Sequence, residues 1–80
     1  MNGLRIYKNA ETHETRGGRP VFYSRREEGP HYRWFYDEAS GEWRVGRVLQ
    51  SDISRRMFSL TPWKDLPVGL QKSMIEHYLD

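Results

Sequence analysis

The sequence predicts an α+β fold, in which a three- to four-stranded antiparallel β-meander carries one C-terminal amphipathic α-helix packed on one face. Residues 20–49 contain three runs of aromatic and β-branched side chains, separated by polar turns. Residues 61–80 contain apolar side chains at helical spacing. Because the chain has only 80 residues, we expect residues 1–80 to form a single domain with a small core.

The first strand is predicted before the meander. Residues 4–8 alternate apolar with polar or amphipathic side chains, which is typical of a short strand. Residues 9–19 contain one alanine as their only apolar side chain and include Gly17 and Gly18 near their end. This composition predicts a flexible loop over 9–19, leaving 20–49 as the β-meander core.

The second turn of the meander predicts a strand register. If residues 38–41 form a four-residue loop, Tyr36 faces Trp43 and Trp34 faces Val45. Glycine is favoured at the end of such a loop because it adopts a positive φ without strain, which explains Gly41.

The first turn is interpreted in the same way. If residues 27–30 also form a four-residue loop, Tyr23 faces Trp34 and Val21 faces Tyr36. Side chains alternate along strands, so these registers divide the sheet into two faces. The face expected to be the core has Arg25 and Arg47 at one end and otherwise carries aromatic and branched side chains: Val21, Tyr23, Tyr32, Trp34, Tyr36, Trp43 and Val45.

The C-terminal third combines an ambiguous segment with a helix. Residues 51–60 fit either a short helix or a strand near their end, and we favour a turn followed by an extended segment. In the 61–80 helical segment, prolines at 62 and 67 indicate a broken entry. Leu70, Met74 and Tyr78 then form an apolar stripe expected to cover the core face of the sheet.

Composition narrows the class of protein. The chain has no cysteine and no apolar run long enough for a membrane span, so we expect a cytoplasmic protein with no membrane association. No catalytic motif or metal-ligand spacing occurs, and the chain is short for an enclosed substrate cavity. We therefore expect no enzymatic activity, no cofactor and no bound metal.

The face opposite the predicted core is the candidate binding site. Ten of the thirteen basic residues are arginines, which suit planar contacts with carboxylates and phosphates. The predicted registers place arginines and a histidine around two phenylalanines on this face, and the candidate residues are Phe22, Arg26, His31, Arg33, Phe35 and Arg44. Arginine and aromatic side chains are favoured anchors in protein interfaces, so the first expectation is an interaction module with an acidic protein partner. The alternative is single-stranded nucleic acid, bound by stacking and phosphate contacts on the same face.

Overall fold

The computed structural model describes residues 3–9, 15–49, 53 and 58–79. The elements in chain order are β1 (Leu4–Asn9), β2 (Thr15–Arg16), β3 (Arg19–Pro20), β4 (Phe22–Arg26), β5 (His31–Asp37), β6 (Glu42–Val48), β7 (Phe58–Leu60), a 3-10 turn (Trp63–Asp65) and α1 (Val68–Leu79). Within these residues, no helix has the length and apolar character that a membrane span requires.

The main sheet has five strands in the order β6-β5-β4-β1-β7, and every pairing is antiparallel. The α+β class is confirmed, with one strand more than the upper predicted number because β1 and β7 both join the meander. The end of the ambiguous 51–60 segment is extended, as β7, and residues 51, 52 and 54–57 lie outside the described residues. Within 9–19, β2 pairs with β3 in a separate two-stranded sheet, and residues 10–14 are not described.

The β5–β6 hairpin has the predicted register. Tyr36 pairs with Trp43 and Trp34 with Val45, and the φ of Gly41 is +71°. The Asp37 carboxylate accepts hydrogen bonds from the Ala39 backbone N–H and the Ser40 hydroxyl, which fixes the start of the turn.

The predicted register of the β4–β5 hairpin is wrong by one residue. Phe22, not Tyr23, lies opposite Trp34, and the ladder ends at Arg25 opposite His31. Residues 26–30 form a five-residue connection, in which Glu27 has a φ of +50° and the Gly29 N–H donates to the Arg26 carbonyl. Because side chains alternate along a strand, this single-residue shift exchanges the two faces of β4.

The core lies between α1 and one face of the main sheet. Its buried residues come from β1, β4, β5 and the C-terminal segment: Ile6, Phe22, Trp34, Leu66, Leu70 and Met74. Phe22 therefore belongs to the core, whereas Tyr23 lies on the opposite face. Val45, predicted to be in the core, is 39% exposed and borders an open cleft between β6 and α1.

The helix has the broken entry that its prolines predicted. Pro62 precedes the 3-10 turn, and Pro67 precedes the first residue of α1. Leu70 and Met74 are fully buried, and Tyr78 is half-buried against the same cluster. The apolar stripe thus covers the sheet as expected.

A buried hydrogen-bonded group fixes the helix to the sheet. The Trp34 indole N–H donates to the Ser24 hydroxyl oxygen at 2.8 Å. That hydroxyl lies 2.6 Å from the Tyr78 hydroxyl on α1, and Ser24 is completely buried. Burial raises the pKa of Tyr78, so its phenol remains protonated as a hydrogen-bonding group. One serine therefore joins β4, β5 and α1.

Replacing this serine tests the arrangement. Ser24→Ala leaves the buried Trp34 indole N–H without its acceptor, and we expect a loss of about 1–3 kcal/mol in the free energy of unfolding. Urea denaturation followed by tryptophan fluorescence measures it. Ser59→Ala is the matched control, because Ser59 is exposed on β7 and its loss should change stability by less than about 0.5 kcal/mol. Equal effects of the two substitutions would contradict the role of the Ser24 hydroxyl as the acceptor for the Trp34 indole N–H.

Candidate functional site

The face of the main sheet that points away from α1 is rich in arginine and aromatic side chains. The registers place Arg5 opposite Arg25 and Arg25 opposite His31 in one cross-strand row. A second row runs from Tyr7 through Tyr23 to Arg33 and ends at Gly46. We call this surface the arginine face, and it consists of Arg5, Tyr7, Tyr23, Arg25, His31, Arg33, Phe35 and Arg44.

The structure brings four of the six predicted site residues together on this face: His31, Arg33, Phe35 and Arg44. The other two lie on the helix side of the sheet. Phe22 is 2% exposed in the core, and the Arg26 guanidinium donates to the Tyr78 carbonyl near the end of α1, 3.2 Å away. A cation there complements the helix dipole, so Arg26 has a structural role. Both misplacements follow from the one-residue shift in β4.

Four residues of the arginine face were missed by the sequence analysis. Tyr23 and Arg25 were assigned to the core side with the wrong β4 register. Arg5 and Tyr7 are on the face because β1 pairs with β4, which leaves Ile6 between them in the core. The alternation of side chains along β1 places Arg5 and Tyr7 on one face of that strand. Which face of the sheet this is depends on the strand that β1 pairs with, and the sequence does not show that pairing.

The two-stranded sheet extends the arginine face at Phe35. The Arg16 guanidinium lies over the Phe35 ring at 4.0 Å from its centroid, and the Arg33 guanidinium lies 5.3 Å from the same centroid. Arg19 stacks similarly on Tyr36, at 4.2 Å. Such cation–π contacts hold guanidinium planes against aromatic rings. Phe35 therefore supports arginines rather than offering a bare apolar surface.

The carboxylates that share this face lie at one end of it. The register places Asp37 and Glu42 opposite each other at the β5–β6 turn. Arg44 contacts both, at 3.4 Å from the Asp37 carboxylate and 3.9 Å from that of Glu42. The Ser40 hydrogen bond, the Ala39 N–H and Arg44 hold the pKa of Asp37 below its ordinary value. Arg44 thus contacts both carboxylates, and the other described arginines on or beside this face are Arg5, Arg16, Arg25 and Arg33.

The opposite end of the face contains a pocket of about 490 Å³, lined by Arg5, Tyr7, Tyr23, Arg25, His31, Ile53 and Leu60. The Nε atom of Arg25 and the Nε2 atom of His31 are buried, and neither has a hydrogen-bond partner among the described residues. Burial, together with the nearby Arg25 charge, lowers the pKa of His31 below its ordinary value of 6.5. The imidazole is therefore neutral at pH 7.

Large apolar side chains are exposed mainly elsewhere on the molecule. Val68, Ile75 and Leu79 lie along α1, and Val45 is on β6, which is an edge strand of the sheet. Among the described residues, no group of three or more His, Asp or Glu side chains is arranged to hold a metal ion. Comparisons with protein-family models, curated proteins and solved structures find no match to this chain.

The lowered pKa of His31 predicts a pH dependence of stability. The folded state binds the His31 proton more weakly than the unfolded state does. The contribution of His31 to the free energy of unfolding is therefore fully present above about pH 6.5 and decreases as the pH falls below that value. The charged groups lining the two clefts beside His31 are Arg5, Arg25, Glu28 and Arg47. Three of these four groups are arginines, and positive charge beside the imidazole disfavours its protonation.

We therefore expect the His31→Gln variant to lose less stability than the unsubstituted protein between about pH 7.5 and about pH 5.5, which lie roughly one unit either side of the ordinary histidine pKa. Urea denaturation at the two pH values measures the difference. His77→Gln is the control, because it removes a histidine on the helix side and leaves His31 in place. Identical pH dependence of His31→Gln and the unsubstituted protein would show that His31 is not the group responsible.

Proposed function

We propose that this protein is a small non-enzymatic module that binds single-stranded RNA through the arginine face. The observation that carries the proposal is the composition of that face. Among the described residues, five arginines, with Arg16 included, lie on or beside this face, and its strands contribute two carboxylates, both in contact with Arg44. A third carboxylate, that of Glu38, lies beside Gly17 in the β2–β3 turn. A surface of this charge attracts a polyanion.

The aromatic groups support a nucleic-acid ligand in particular. Tyr7, Tyr23 and His31 are partly exposed on the same sheet face, and bases stack on such rings or on guanidinium planes. Arg16 is exposed, and its guanidinium lies over the Phe35 ring at 4.0 Å from the centroid, so a cation and an aromatic ring are presented together. Such a platform tolerates different bases and therefore suits binding with little sequence preference.

An acidic protein partner on the same face is the competing proposal. An interface of that kind is usually anchored by buried aromatic side chains at its centre. Phe22, one of the two expected anchors, lies in the core, and Phe35 is stacked with arginines. The exposed apolar side chains of α1 lie on the other side of the sheet. These observations favour RNA as the ligand of the arginine face.

Fluorescence anisotropy with a labelled uridine oligonucleotide tests the proposal. We expect binding to weaken as salt rises, because each phosphate contact releases counterions. Arg16→Gln should weaken binding and reduce the slope of log affinity against log salt by about 0.7. Arg47→Gln removes the same charge from the helix side of β6 and should leave both quantities nearly unchanged.

Two outcomes would contradict the proposal. One is the absence of binding at physiological salt. The other is an equal loss in the Arg16→Gln and Arg47→Gln variants, which would indicate attraction by net charge alone. An acidic peptide that displaces the oligonucleotide at an equal concentration of charge would favour the protein-partner proposal instead.

A further inference from the structure

The pocket at one end of the arginine face contains an unusual concentration of unneutralised positive charge. Arg5 and Arg25 lie directly opposite each other on neighbouring strands, and His31 lies opposite Arg25. Like charges in directly opposed positions destabilise a sheet. Among the described residues no carboxylate is paired with Arg5 or Arg25, so nothing in this part of the chain offsets their repulsion.

Two hydrogen-bonding groups of the pocket have no partner in the described part of the chain. The Arg25 Nε and His31 Nε2 atoms are both buried there without a hydrogen bond, although buried polar atoms are normally paired. Both residues line the same pocket, and Arg5 borders it from β1. An anion seated between these three side chains would supply the missing negative charge, next to the two buried atoms that lack partners.

The size and walls of the pocket indicate more than a bare ion. Its volume of about 490 Å³ lies within the range of small-molecule sites. Tyr7 and Tyr23 form one wall, next to the arginines. A phosphate carrying a nucleoside would place its charge near Arg5 and Arg25 and its base near the two phenol rings.

We infer that this pocket binds the terminal phosphate monoester of a single strand, an inference that rests on the proposed RNA-binding function. A monoester has three unesterified oxygens and up to two negative charges, which matches three donor side chains. An internal phosphodiester has only two such oxygens and one charge. The pocket would therefore distinguish a phosphorylated strand end from the body of the strand.

The test compares one uridine oligonucleotide in three forms, with a 5′-phosphate, a 3′-phosphate or hydroxyl groups at both ends. We expect one phosphorylated form to bind about tenfold more tightly than the hydroxyl form. Each charge-assisted hydrogen bond contributes at least the binding free energy that a tenfold change in affinity requires. Which phosphorylated form binds more tightly identifies the strand end that enters the pocket.

Substitutions connect the preference to the pocket. Arg5→Gln and His31→Gln should each reduce the preference for the phosphorylated form to less than about threefold, and Arg47→Gln should leave it intact. Arg5 is exposed, so its replacement keeps the test valid if His31→Gln proves less stable. Thermal unfolding of each variant verifies that it is folded.

The outcomes separate the two proposals. Equal affinity for all three strands overturns the pocket inference and leaves RNA binding on the arginine face intact. A preference that survives in both pocket variants also overturns it. Failure of every strand to bind overturns the proposed function, and the inference that rests on it falls as well.

Discussion

The hydrogen bonds of the Ser24 hydroxyl to Trp34 and Tyr78 determine the organisation of the molecule. An indole buried to 1% exposure needs an acceptor for its N–H, and Ser24 supplies one from the neighbouring strand. The same hydroxyl meets Tyr78 of α1, so helix position and strand register depend on one atom. A shift of β4 by one residue would remove this acceptor and expose Phe22.

The distribution of arginines follows from that register. With Phe22 and Ser24 facing the helix, Tyr23 and Arg25 must face the other way. β1 then adds Arg5 and Tyr7 to the same side, and β5 adds His31 and Arg33. The arginine face is thus the geometric complement of the core. This coupling explains how so small a domain has both an aromatic interior and a cationic, aromatic surface.

The fold was largely predictable, and the candidate site was predictable in part. The β5–β6 register followed from Gly41, whose positive φ marks the end of a four-residue turn. The β4–β5 turn has no equivalent marker, because a glutamate, Glu27, adopts the positive φ there. That conformation is favoured by a tertiary contact, the hydrogen bond from the Glu27 N–H to the Gly3 carbonyl, which no local pattern reveals.

The site shows the same division between local and tertiary information. His31, Arg33, Phe35 and Arg44 were found because the β5–β6 hairpin, which carries all four, was correctly aligned. The opposed pair of Arg5 and Arg25 depends on β1 lying beside β4, a pairing between segments far apart in the sequence. The pocket beside His31 depends on the same pairing, and it could not be inferred from either segment alone.

The β4–β5 register is therefore the central claim, and nuclear Overhauser contacts between the two strands test it most directly. The structure requires cross-strand contacts between Phe22 and Trp34 and between Ser24 and Tyr32. It also requires slow exchange of the Trp34 indole proton relative to that of Trp63, which is 36% exposed. Contacts between Tyr23 and Trp34 instead would contradict the register, and with it the composition of the arginine face.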